Sequence, residues 1–98
     1  MTQIASRLKK LMESEQFKQI QSAKRSGVSQ STINRILHSQ NSPTYRTLCG
    51  LSKGFNVPTE YFTHPCDMVA DIILNLSTMS RDQVTKVLDF VNFQKQQK

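Results

Sequence analysis

Residues 19–37 read QIQSAKRSGVSQSTINRIL, and the Gly27-Val28-Ser29 step inside that run decides the fold. Glycine accepts the left-handed backbone that ends a helix, so Gly27 predicts the stop of a short helix over Lys18 to Ser26. Ile20 and Ala23 are expected on its inner face, with Phe17 just ahead of it. Val28 closes a tight turn. Ser29 then suits an N-cap, because its hydroxyl can accept from the free amides of a first helical turn. The helix it opens is predicted from Gln30 to about His38. Ile33, Ile36 and Leu37 fall on its inner face by their three- and four-residue spacing, which leaves Gln30, Ser31, Asn34 and Arg35 together on the wet side.

Upstream, Ile4, Leu8, Leu11 and Met12 recur with helical spacing and predict a helix from about Thr2 to Ser14. Downstream, His38 to Pro43 is rich in Ser, Asn and Gln and reads as a loop, and Thr44 can cap a fourth helix carrying Leu48, Leu51 and Phe55. Gly50 and Gly54 within that helix each cost about 1 kcal/mol relative to Ala, so its helicity has to rest on packing. Asn56 supplies a terminating turn, and Pro58 suits the first position of a short fifth helix ending near Phe62. Thr63, His64, Pro65 and Cys66 read as a linker. Beyond it Val69, Ile72, Ile73 and Leu76 make one apolar helical face, and Val84, Val87, Leu88 and Val91 make another. Ser80 and Gln83 form a capping box between them, with Met79 and Val84 spaced as its hydrophobic staple. The tail from Gln94 to Lys98 is polar and expected to fray. The expected architecture is all-α: a five-helix domain over residues 1–62, a linker over 63–66 and a two-helix oligomerisation segment over 67–98.

A chain of 98 residues has room for one small domain and an attached oligomerisation element, which argues against a large enzyme. The formal net charge of +6 calls for an anionic partner. Residues 1–62 hold nine Lys or Arg against Glu13, Glu15 and Glu60, whereas residues 63–98 hold four bases against four acids. The whole excess therefore belongs to the first part. Between Glu15 and Glu60 stand Lys18, Lys24, Arg25, Arg35, Arg46 and Lys53 with no acid among them, the footprint of a phosphate-facing surface. The longest apolar run falls well short of the roughly 20 residues that span a bilayer, and no signal layout opens the chain, so a cytoplasmic protein without membrane contact is expected. Cys49 and Cys66 are expected as reduced thiols. His64 and Cys66 lack the ligand count and spacing of a zinc site, and neither His38 nor His64 has an acid or nucleophile framework. No metal, cofactor or catalytic residue is expected.

The run Gln19, Ala23, Gly27, Val28, Ser29, Ile33 and Ile36, followed by Pro43, Leu48, Leu51, Phe55, Val57 and Phe62, resembles the phage repressor and Cro family of helix-turn-helix proteins. The resemblance covers about Ile4 to Phe62. It implies a compact five-helix domain whose second helix crosses the DNA backbone and whose third lies in the major groove. It further implies that Gln19 meets a phosphate, and that Gln30, Ser31, Asn34 and Arg35 read bases. Their chemistry agrees, since Gln or Asn can bond adenine twice and Arg can bond guanine twice. Lys18, Lys24, Thr32 and Thr44 are the further phosphate-contact candidates. The chain departs from the family pattern at Lys18, where Ser or Thr is usual, at Leu37, where an acid is common, and at Ser39, where glycine usually follows the third helix.

The apolar faces after the linker are too extensive to trail uncovered from a domain complete at Phe62. A matching hairpin from a second chain is the simplest cover, which makes Val69, Ile72, Ile73, Leu76, Val84, Val87, Leu88 and Val91 the expected interface of a homodimer or higher homo-oligomer. In the alternative the two helices fold back on their own domain. The leading functional expectation is a phage-type transcriptional repressor binding a palindromic double-stranded DNA operator as a dimer. Its alternatives are an antitoxin that represses its own operon and an adaptor that uses the same fold without touching DNA. An antirepressor or toxin protein is the expected further partner.

Overall fold

A computed structural model describes residues 3–40 and 42–97; Thr2, Asn41 and Lys98, which the expected first helix, loop and tail include, lie outside them. The described residues form seven helices: α1 Gln3–Glu15, α2 Gln19–Ser26, α3 Gln30–Leu37, α4 Tyr45–Phe55, α5 Glu60–Thr63, α6 Asp67–Thr78 and α7 Arg81–Lys95. All-α architecture follows, with a helix-turn-helix unit followed by C-terminal helices.

Local signals set most boundaries. Ser29 and Thr44 accept from the amides of Thr32 and Thr47, at 3.1 and 3.2 Å, and so open α3 and α4. Ser80 and Gln83 make the reciprocal capping box of α7. The Lys18 side chain cannot accept a hydrogen bond, so α2 starts with half a box: the Gln21 Oε1 accepts from the Lys18 amide at 2.8 Å. Lys18 is thus the cap and not the first helical residue. Pro58 precedes α5 by a turn, and α5 begins only at Glu60. α7 continues through Gln94 and Lys95, part of the tail expected to fray.

Four helices end on a left-handed residue, and Gly27 is the glycine among them; Gln16, Ser39 and Asn56 adopt φ of 57–58°. The Phe17, Gln40 and Val57 amides reach back five residues to the carbonyls of Met12, Arg35 and Ser52, at 2.8, 2.9 and 3.0 Å, and hold those three turns closed. α3 therefore ends at Leu37 without the glycine its family pattern favours. A side chain in this conformation costs roughly 1–2 kcal/mol, partly offset by the entropy a glycine would lose. Ser39→Gly should accordingly raise stability by somewhat under about 1 kcal/mol in urea denaturation. A lowered midpoint would mean that the serine side chain outweighs its own backbone strain.

The core gathers Leu8, Leu11 and Met12 of α1, Ile33 and Ile36 of α3, Leu48, Leu51 and Phe55 of α4, then Val57, Tyr61 and Phe62. α4 packs most extensively on α2. A Cβ on Gly54 would lie 2.7 Å from Ser26 Cα and 2.8 Å from Ser26 N, and one on Gly50 would lie 2.7 Å from Ser26 O. The two glycines are thus where α2 crosses α4 almost backbone to backbone. Only small residues fit on α2's side of that seam, and Ser22 and Ser26 occupy it, buried. Ile20, expected inward, is 51% exposed for this reason. The seam takes the neighbouring residues, and a step of about 100° per residue turns Ile20 away from it.

α6 packs on α5 and adds Ala70 to the core, with Ile73 and Leu74 partly buried against it. Ile73, from the expected intermolecular face, thus lies in part against its own chain. α7 buries none of its residues, and the molecule measures 48 × 24 × 22 Å.

Candidate nucleic-acid interface

The crossing of α2 by α4 and the burial of Ile33 and Ile36 fix α3 by its inner side alone. Its outer side carries Gln30, Ser31, Asn34 and Arg35, all four exposed. Gln19, at the first turn of α2, donates from Nε2 to Asn34 Oδ1 at 3.4 Å. This bond ties the start of one helix to the middle of the next and orients both amides. It leaves Asn34 its own NH₂ donors and the second lone pair of Oδ1 for an external partner. Arg35, one position on, has an exposed guanidinium with its full fork of donors.

Electrostatics divide the helices into two groups. α2, α3 and α4, like α1, have no acidic residue in their first turns, while α5, α6 and α7 carry Glu60, Asp67 and Asp82 in theirs. The positive dipole ends of α2, α3 and α4 are left uncompensated, which favours anions there. Lys18 is exposed at the N-terminus of α2 and Lys24 is exposed on the same helix.

Two of the expected phosphate ligands have hydroxyls in side-chain pairs: Thr32 accepts and keeps its own proton to donate, whereas Thr44 donates. Ser29 Oγ donates to Thr32 Oγ1 at 2.8 Å, and Thr44 Oγ1 donates to Thr47 Oγ1 at 3.1 Å while capping α4. The first turn of α4 exposes Tyr45, to which sequence reasoning gave no role, and Arg46, which it counted only within the basic stretch. Arg46 shares a shallow hollow with Gly27, Ser29 and Thr32, beside the turn that opens α3. Its signal in the sequence was its place in the acid-free basic stretch, within the first turn after the Thr44 cap. Arg25, by contrast, lies over the Phe17 ring at 5.3 Å and donates to the Gly54 carbonyl at 3.4 Å, so it serves the fold.

Residues 8–62, more than half of the chain, match the family described as helix-turn-helix. The chain belongs to the helix-turn-helix family. It is a DNA-binding transcription regulator, of the Cro and phage repressor type that the α2-turn-α3 residues resemble. A search of curated proteins by sequence returns no significant match. Among solved structures, a chain from the one titled "SinR protein/SinI protein complex" superposes with a TM-score of 0.66 at 19% identity, covering 96% of this chain and 99% of that one. The likeness runs beyond the helix-turn-helix unit into α6 and α7, and it is a likeness of fold. Among the described residues no helix is long and apolar enough to cross a membrane, and no three His, Cys, Asp or Glu gather to hold a metal ion. Cys49 and Cys66 are free thiols.

Proposed function

We propose that the protein is a sequence-specific transcriptional repressor that binds a palindromic operator as a homodimer, α3 reading bases in the major groove. The observation that carries this reading is the α3 face, where Gln30, Ser31, Asn34 and Arg35 stand exposed on a helix held rigidly from behind. The acid-free helix starts and the exposed Lys18, Lys24 and Arg46 support phosphate contacts around it. Residues 67–98 serve as the oligomerisation segment, with Val84, Val87, Leu88 and Val91 of α7 as its centre and Val69, Ile72 and Leu76 of α6 extending it. A protein partner on this same segment, an antirepressor or toxin, is the second reading. It is supported by the neighbour whose title names a complex of two proteins.

Selection of binding sites from random DNA tests the proposal. Two inverted half-sites about 34 Å apart, one DNA turn, are expected. On the selected site Gln30→Ala or Arg35→Ala should cost about 1–3 kcal/mol and relax preference at one base position, whereas Lys24→Ala should weaken every DNA alike. Equal losses on selected and random DNA for Gln30→Ala would remove α3 from base reading, and no enriched motif at all would refute a sequence-specific regulator.

A further inference from the structure

Arg7 is 5% exposed, among the most deeply placed charges in the described chain, and its guanidinium is taken up by partners within the chain. From α1 its Nη1 donates to the Tyr61 carbonyl at 2.9 Å and to the His64 carbonyl, and its Nη2 donates to Asp67 Oδ1 at 2.9 Å. One guanidinium thus holds α1, both sides of the α5 exit and the first residue of α6. Three further observations stiffen the same joint. Lys10 Nζ lies 2.6 Å from Asp71 Oδ1, one turn along both helices, and that hydrogen bond raises the Lys10 pKa above its usual value. Ala70, between the two aspartates, is 1% exposed. The connection is only residues 64–66, where Pro65 has its φ locked and the Cys66 amide donates to His64 Nδ1 at 3.0 Å. The segment that reads as a linker in the sequence is a clamped hinge.

We infer that Arg7 is a specificity-determining residue for DNA: it fixes the direction in which α6 and α7 leave the reading head, and so sets which half-site spacing the dimer accepts. The inference rests on the dimeric reading above. If dimerisation is through α6 and α7, each reading head is attached to the dimer axis through this joint and through the adjoining packing of Ala70, Ile73 and Leu74 on the core. A flexible joint would let two heads reach half-sites at several spacings. A clamped one requires the two sites to match in both distance and rotation, because each base pair turns the second site by about 35°. Arginine suits the position because its planar fork satisfies two carbonyls and a carboxylate at once, which a lysine ammonium cannot do in the same plane.

The test uses the full chain, the selected operator, versions with the spacer changed by one and two base pairs, and a single half-site. Two variants loosen the joint by different means: Arg7→Met, and insertion of Gly-Ser-Gly between Pro65 and Cys66, which keeps every side chain. Circular dichroism follows folding and sedimentation follows mass. For the natural chain, a two-base-pair change should cost about tenfold or more in affinity, because simultaneous engagement is lost. The loosened chains should vary by under about threefold across the same series, bind the best spacing more weakly than the natural chain, and bind the half-site unchanged. A folded, dimeric insertion variant that keeps the natural spacing preference would overturn the inference while leaving the dimer intact, and it decides the matter even if Arg7→Met does not fold. A natural chain that sediments as a monomer would remove the dimeric reading and this inference with it.

Discussion

On the proposed dimeric reading, Leu88→Asp should convert the full chain from dimer to monomer and lower its affinity for the complete operator by about 100-fold or more. Leu88 is 56% exposed on α7, where Val84, Val87 and Val91 share its side and no residue is buried. A carboxylate placed among such groups must lose its hydration when a second helix covers it, and nothing on this stripe would pair with it. The loss in DNA binding follows from linkage. Two reading heads on one scaffold gain an effective concentration worth about 10²–10⁴ in avidity, and a monomer forfeits it. Because Leu88 is more than half exposed and lies outside the core, the variant should keep its helicity and its half-site affinity. Sedimentation at tens of micromolar, with fluorescence anisotropy on operator and half-site, separates these quantities. An unchanged mass would take α7 out of the interface.

Gly54→Ala is the second large effect, and its sign is the informative part. On an open helix the change would gain about 1 kcal/mol from propensity. Here the new Cβ would meet Ser26 Cα, Ser26 N and Arg25 C at 2.7, 2.8 and 2.9 Å, all backbone atoms of α2. Backbone cannot rotate aside as a side chain can, so α2 or α4 must move, and the expected cost is about 2–3 kcal/mol. Against a total stability of the order of 5–15 kcal/mol this is a large share. Urea unfolding measures it directly. A more stable variant would show that the two helices do not approach as closely as described. On the proposed reading DNA binding should suffer as well, since α2 and its cap carry Gln19 and Lys18 and lie directly before the turn into α3.

Much of this molecule is legible in the chain because its signals are local. Gly27, Ser29, Thr44, Asn56 and the Ser80-Gln83 pair mark helix ends by hydrogen bonds to residues within one turn, and the structure places helix ends at each. The α3 face is legible for the same reason: Ile33, Ile36 and Leu37 define the inside, and the outside follows by geometry. What the chain hides is long-range. Gly50 and Gly54 read as costs to α4, whereas they are the contact surface for α2, a meaning that exists only once two helices cross. Ile20 reads as inward because it is apolar, yet the seam admits only serine and glycine beside it. Arg7 reads as one more cation of a basic domain, and its partners stand 54 to 60 residues away. The hydroxyls of Thr32 and Thr44 were legible as polar and near the interface, but not as already engaged in capping pairs. Ser39 takes the left-handed turn expected of a glycine, because the Gln40 amide has the Arg35 carbonyl to close on.

Arg7 and Lys10 spend their charge on Asp67 and Asp71, whereas Arg25, held against Phe17 and a carbonyl, keeps its own. At least two of the nine cations in residues 1–62, Arg7 and Lys10, are therefore paired with acids within the protein itself. The binding constant of a DNA-binding protein falls with ionic strength according to the number of phosphates it neutralises, about 0.9 logarithmic units per phosphate for each tenfold rise in salt. Cations held by internal partners displace no counterions from DNA. This regulator's attraction to arbitrary DNA is then weaker than its formal charge implies, and fades over a gentler salt gradient. Competition from the rest of a chromosome is correspondingly less severe, and a larger share of the free energy that selects its site falls to the side chains that touch bases.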